Sequence, residues 1–315
     1  MIYMVWVPLL VPFLAGPAGR RLVSSLPPRP AAWLLTITAA GLAISSTAAL
    51  ALLIVPGATH VHAVAALGEL LTPVSTGPPV TVVAVASMAS ALLVWCATVL
   101  ARTLHRRRSQ LRRARQLAVS ADGELVVLND DDPDAYALPG RPGKVVVTSG
   151  MLRALTAAER EVLFAHERAH LSDRHHLFVT VVELAARCHP GLRALREPLS
   201  YALERSADET AAQAVGDRHL AARAIGRAAL AARAAQTRAA GRPGVALAAT
   251  TGPVPRRVAA LLDHEAQATH VQRKTSRIIA AALLACLAVS AAAALEAAHD
   301  LHAGIEVAQG EHVRD

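Results

Sequence analysis

The sequence predicts a mainly α-helical integral membrane protein that carries a small mixed domain between its third and fourth apolar segments. Three observations lead there. Of the 315 residues 53% are hydrophobic, with a positive mean hydropathy, above the share of a soluble domain. Four stretches, 2–15, 33–55, 80–100 and 278–295, contain no Lys, Arg, Asp or Glu. The basic residues gather at the ends of those stretches, as they do beside membrane spans.

The first stretch is short and interrupted by Pro8 and Pro12. It lacks a basic leader, so it reads as a retained anchor rather than a secretory signal. The other three approach or reach the roughly 20 residues that cross a bilayer core, which makes about four transmembrane helices in all. Arg20, Arg21 and Arg29 follow the first stretch, no Lys or Arg occurs in 56–79, Arg102 and Arg106 open an arginine run after the third, and Arg273, Lys274 and Arg277 precede the fourth. The positive-inside rule is satisfied throughout if both termini are outside and 103–276 is cytoplasmic. The chain then divides into a membrane region with three spans (1–102), a cytoplasmic domain (103–276), a fourth span (277–296) and a short external tail (297–315). The net charge of +8 resides largely in arginines beside spans, where anionic headgroups of the lipid bilayer are the ordinary partner. No aromatic interleaving or DNA-binding motif accompanies it, so no nucleic acid is expected. Cys96, Cys188 and Cys286 imply neither a disulfide framework nor a thiolate metal site.

Within 103–276, the runs 124–128 and 144–148 are β-prone and bounded by Asp/Pro/Gly clusters, with 135–138 as a third short strand. Thr156-Ala157-Ala158-Glu159 is a capping box that opens a helix running through His170. A helical stretch at 174–187 is apolar over much of its surface, and the pattern leaves open whether it packs in the domain or on the membrane. A further helix runs from about Pro198 to a Gly216 cap, 217–240 is helical, and 241–256 reads as loop.

His166-Glu167-Arg168-Ala169-His170 is an H-E-x-x-H sequence. On a helix, positions i and i+4 share a face, so two imidazoles can hold one metal with Glu167 beside it as general base. A catalytic zinc needs a third protein ligand and an open position. His176 has the offset of the extended motif, but Asp173 stands where that motif requires Gly to turn the chain, and Met151 lies upstream rather than downstream. Glu204 is the better candidate, with Asp208 one turn on to accept from a ligating imidazole.

The runs Asp134-Ala-Tyr-Ala-Leu-Pro-Gly140, Val145-Val-Val-Thr-Ser-Gly-Met-Leu152 and Leu155-Thr-Ala-Ala-Glu-Arg-Glu-Val-Leu-Phe-Ala-His-Glu-Arg-Ala-His170, followed by Glu204-x-x-x-Asp208, resemble the HtpX and CAAX-prenyl-protease family of membrane zinc peptidases, and the related BlaR/MecR sensor proteases. The resemblance covers about 125–230. It implies a zincin-like, gluzincin-type domain with a small β-sheet, one zinc ion, and cleavage of peptide bonds. By position it makes His166, His170 and Glu204 the metal ligands, Glu167 the base and Asp208 their helper. Asp134 replaces the family's usual Asn, and Arg168-Ala169 a more usual Leu-Gly. The penicillin-binding sensor of the sensor-protease branch is not expected in the short segment after the last span.

The expectation is a membrane zinc metalloendopeptidase acting on a peptide or protein substrate in the cytoplasm or membrane, a cytoplasmic repressor among the candidates. The substrate would lie extended along a strand edge near 135–148, touching Ala135, Tyr136 and Ala137. A competing class is a catalytically silent membrane receptor that kept the fold. An intact H-E-x-x-H with Glu204 argues against it, since a silent relative has no need of Glu167.

Overall fold

The computed structural model describes residues 4–67, 74, 77–118, 123–239, 253–263 and 270–310. Short α1 (Val7–Leu10) lies between the 3-10 turns Met4–Trp6 and Val11–Leu14, and α2 (Ala15–Ser25), α3 (Pro28–Ala58), α4 (His62–Leu67) and the long α5 (Pro79–Ala118) follow. Three strands come next, β1 (Leu125–Leu128), β2 (Ala135–Leu138) and β3 (Lys144–Thr148), then α6 (Ser149–Ala154), α7 (Ala157–Ser172) and α8 (His175–Cys188). After a 3-10 segment, Pro190–Leu195, come α9 (Arg196–Val215), α10 (Arg218–Ala239), α11 (Pro253–Leu262) and α12 (His270–Ala308).

Among the described residues, Pro28–Ala58, Pro79–Gln116 and Arg277–Ala308 are the helices long and apolar enough to cross a membrane. The described part of the expected span at 2–15 is not among them. Pro8 and Pro12 each remove an amide donor and crowd the preceding turn, so its described part alternates between short α and 3-10 geometry. That segment is instead tied into the protein. Ser46 Oγ donates to the Pro8 carbonyl at 2.7 Å. His189 Nδ1 accepts from the Gly191 amide at 3.2 Å, which leaves Nε2 to carry the proton it donates to the Leu9 carbonyl at 2.9 Å. Gly191 packs so closely that a Cβ there would meet the backbone of Pro12 and Phe13 at 2.9 Å.

The membrane-length helices and the mixed domain share one core. Val182 and Ala185 of α8 join Leu35, Ala39 and Leu42 of α3, Leu22 of α2 and Leu199 of α9 in a single buried cluster. Trp33 meets Phe178 edge-on at 4.8 Å. One apolar face of α8 is therefore buried against α3, while Leu177 and Val179 stay exposed. A second core joins α7, α9, α10 and α11 through Val162, Ala211, Ala221 and Leu261.

Both arms of the capping box form at the start of α7: the Glu159 amide donates to Thr156 Oγ1 at 3.4 Å and the Thr156 amide to Glu159 Oε2 at 2.9 Å. The helix carries on through His170. α9 ends at Gly216, whose φ of 71° is the left-handed cap that glycine adopts without strain. Residues 253–256, expected as loop, open α11, because Pro253 and Pro255 are tolerated in a helix's first turn. The rest of that expected loop, 241–252, lies outside the described residues.

The sheet order is β1-β3-β2, with β1 parallel and β2 antiparallel to β3. Strand β2 is thus an edge. The Thr148 amide donates to the Asp134 carbonyl, and main-chain groups alternate sides along a strand. Tyr136 and Leu138 accordingly pair with β3, while the main-chain groups of Ala135 and Ala137 face outward.

Candidate metal centre

Helix α7 places His166 and His170 one turn apart on a face turned towards α9, where Glu204 projects between them. His166 Nε2 and His170 Nε2 are 3.2 Å apart. Glu204 Oε2 lies 3.6 Å from the first and Glu204 Oε1 3.5 Å from the second. A tetrahedral ion with ligands at about 2.0–2.1 Å keeps its donor atoms about 3.3 Å apart; the two imidazole nitrogens meet that spacing, and one donor atom from each of the three residues lies within 4.8 Å of the others. The cluster could hold a metal ion. His176, the rival third ligand, lies outside it.

Each imidazole is oriented from behind. His166 Nδ1 is 3.0 Å from Asp208 Oδ1. His170 Nδ1 is 2.8 Å from His175 Nδ1, and His175 Nε2 looks towards Asp173 Oδ2 at 3.8 Å. With His170 Nε2 reserved for a metal, its Nδ1 carries the proton and His175 Nδ1 must accept it. His175 then bears its own proton on Nε2, on the Asp173 side. Arg29, at the start of α3, donates to Asp173 Oδ2 at 2.8 Å, so this relay ends on the first membrane-length helix.

Arg257 of α11 was not anticipated from the sequence. Its Nε and Nη2 donate to the two oxygens of Asp208 at 2.7 and 2.6 Å, and Nη1 lies 2.8 Å from Glu204 Oε2. One signal pointed to it: Val254, Val258 and Leu261 form the buried stripe of α11, and position 257 falls on that stripe, where an arginine is exceptional unless paired. His175, Asp173 and Arg29 were likewise missed, since they act across sequence gaps with no local motif.

The electrostatics follow this pairing. Burial pulls His166 down, but Asp208 and Glu204 outweigh it and raise it to about 9. Burial and the neighbouring His166 push His170 down to about 4. Burial resists ionisation of Glu204, yet His166 and Arg257 hold it at about 2. Asp208 is lowered in the same way, Arg257 and His166 overcoming burial. Glu167 is different: it is 8% exposed, and burial raises its carboxyl above the ordinary range although His166 and the Ala137 amide oppose this. A carboxylate of raised basicity beside a metal-ligand triad is equipped to take a proton.

The triad lines a cavity of about 990 Å³ whose walls include β2 from Ala135 to Pro139, Glu167, Leu177 of α8 and Leu104 to Ala114 of α5. Of the expected substrate contacts, Ala135 and Ala137 have outward main-chain groups whose amides are already engaged, that of Ala135 donating to Asp134 Oδ1 at 2.9 Å and that of Ala137 to Glu167, which leaves their carbonyls for a substrate. The main chain of Tyr136 pairs with β3, and its half-exposed side chain also lines the cavity. Tyr201 is buried, with the Arg256 guanidinium 4.5 Å from its ring centroid.

A helix-borne pair of imidazoles, a carboxylate from a second helix and an adjacent buried glutamate define the metallopeptidase class of site. A protein-family description, Peptidase family M48, matches residues 100–189, which take in His166, Glu167 and His170 and end before Glu204. The match supports an M48-type metallopeptidase. No solved structure matches the chain.

Proposed function

We propose that the chain is a membrane-bound zinc metalloendopeptidase of the HtpX/CAAX-protease and BlaR/MecR kind, hydrolysing peptide bonds of cytoplasmic or membrane proteins. The observation that carries this reading is the juxtaposition of the His166–His170–Glu204 triad with Glu167 at the foot of an open strand edge. His166, His170 and Glu204 would hold the zinc, which supplies the Lewis acidity that makes water nucleophilic near neutral pH and polarises a carbonyl. Asp208 and His175 fix the two imidazoles with Nε2 inward. Arg257 keeps Glu204 and Asp208 ionised and aimed. The substrate main chain donates to the outward carbonyls of Ala135 and Ala137, which sets the scissile carbonyl over the triad. Glu167 takes the proton of the attacking water and delivers it to the leaving amine.

The domain division given above, with 103–276 in the cytoplasm and both termini outside, belongs to this reading, and a repressor protein is among the substrates it admits. Three membrane-length helices support attachment to a bilayer. The test is Glu167→Gln in full-length protein. Metal analysis should find zinc near one equivalent in both proteins, with casein cleavage chelator-sensitive in the wild type and lost in the variant. Zinc-loaded wild type that cleaves nothing would favour the silent receptor, and a fully active variant would remove Glu167 as the base.

A further inference from the structure

We propose that the substrate carries acidic residues N-terminal to its cleaved bond, seated in a basic annex of the cleft formed by Arg115, Arg141, Lys144 and Arg174. This rests on the peptidase reading above and names the substrate chemistry for the same site.

Past Leu138 and Pro139 the cleft opens into a second cavity of about 810 Å³, and the two share Leu138, Pro139, Leu171, His176 and Leu177 as walls. Every formally charged side chain lining the annex is cationic. Arg115 comes from α5, Arg141 and Lys144 from the turn into β3, and Arg174 from the left-handed turn between α7 and α8. No Asp or Glu lines it. Arg107 and Arg108 extend the same charge along the α5 wall of the main cleft. Among the described residues Arg115, Arg141 and Arg174 form no ion pair, unlike the arginines that brace the fold, such as Arg218 on Glu209 and Arg196 on Glu183. Arg115 instead donates through Nε to the Pro139 carbonyl at 3.0 Å, which ties α5 to the end of β2 and fixes the mouth of the annex. The potential is felt locally, since burial and then Arg174 and Arg115 hold His176 below its usual value.

The direction of the chain follows from strand pairing. Antiparallel pairing is the more stable per residue, and a peptide added that way to β2 sends its N-terminal residues past Leu138 towards Arg141. At about 3.3 Å per residue, the annex faces positions roughly three to five before the scissile bond. Cations lining a concave, partly desolvated site focus their field and discriminate by charge. An anionic lipid headgroup is the rival source of negative charge. Arg115 lies fifteen residues beyond Leu100, the end of the uncharged stretch of α5, a rise of about 22 Å along the helix. That puts Arg115 beyond the reach of a headgroup layer of roughly 5–8 Å, whereas Arg174 follows Asp173, which Arg29 holds at the start of α3.

The test is cleavage-site profiling of a random peptide library by mass spectrometry, using zinc-loaded full-length protein in neutral detergent. Asp and Glu should be enriched about five- to tenfold three to five residues before the cut, the size of one or two half-exposed ion pairs. Raising salt from about 50 to about 500 mM should flatten that enrichment. Arg141→Glu combined with Arg174→Glu should replace it with enrichment in Lys and Arg. A flat profile, acidic residues on the other side of the bond, or a variant that keeps the wild-type profile while losing binding to phosphatidylglycerol vesicles would each overturn the inference and leave the peptidase reading standing. Absence of any cleavage would instead overturn the peptidase reading, and this inference with it.

Discussion

Arg257→Ala removes a guanidinium from the point where both carboxylates behind the donor triad converge. The Arg257 side chain is 11% exposed and that of Asp208 2%, so the fork between them counts as a buried pair, whose rupture costs about 3–5 kcal/mol. Asp208 still has His166 Nδ1 at 3.0 Å, which places the expected loss at the low end. About 3 kcal/mol is roughly two decades in the folding equilibrium. Asp208→Asn should cost less, because the guanidinium keeps Glu204 Oε2 at 2.8 Å. The double variant leaves neither charge unpaired, so its loss should fall short of the sum by about 2 kcal/mol, within the range of contacting pairs. The assay is denaturant unfolding of metal-stripped full-length protein, followed by circular dichroism, on the four members of the cycle. Arg257→Lys keeps the charge without the two-pronged fit and should recover only part of the loss. Losses that add to within about 0.5 kcal/mol would refute the reasoning, since independent sites behave that way.

His175→Ala should weaken zinc binding about 10- to 100-fold, the usual effect of removing the group that orients a ligating imidazole; competition against a chromophoric chelator measures it, and an unchanged affinity would mean that His170 is held by other means. Thr156→Ala should cost about 1 kcal/mol, because the α7 cap is lost, and an unchanged unfolding midpoint would contradict that. Burial opposes ionisation of Glu159, but Thr156 and Arg227 hold its carboxyl below the ordinary 4.5. Because the folded value is the lower one, the ionised group stabilises the fold above about 4.5, and that contribution is lost as the pH falls through the folded value. The stability gap between wild type and Glu159→Gln should therefore narrow on acidification from pH 7 to about 3, and a gap that stays constant would remove the linkage. Gly191→Ala should destabilise by about 1–3 kcal/mol through its clash with the Pro12–Phe13 backbone, read as a lower unfolding temperature; a neutral result would show that the N-terminal segment yields.

The parts of this molecule that a local signal dictates were readable from the chain. Strand alternation and turn residues place β2 and β3, the Thr156–Glu159 box places the start of α7, and Gly216 marks the end of α9. The H-E-x-x-H spacing brings His166 and His170 to one face, and the turn between Glu204 and Asp208 lets one carboxylate reach the triad while the other reaches behind it. What was not readable depends on which surfaces meet. Nothing near position 29 points to Asp173, and the partners of Arg257 are 49 and 53 positions away. The apolar stretch at 2–15 is a related case: hydropathy reports that a segment avoids water, but not its prolines' effect on the helix or its bonds to Ser46 and His189.

Helix α5 is one uninterrupted rod from Pro79 to Ala118, so the apolar portion and the residues that form one bank of the cavity cannot move separately. Leu111 stands about 16 Å beyond Leu100 along the axis, and an inclination change of about 5° at the apolar end swings that bank by roughly 1.4 Å. Main-chain hydrogen bonds tolerate only a few tenths of an ångström. Because Arg115 bonds to the Pro139 carbonyl and Leu111 and Ala114 pack on the sheet, a change of inclination in the apolar portion must carry β2 along with the helix.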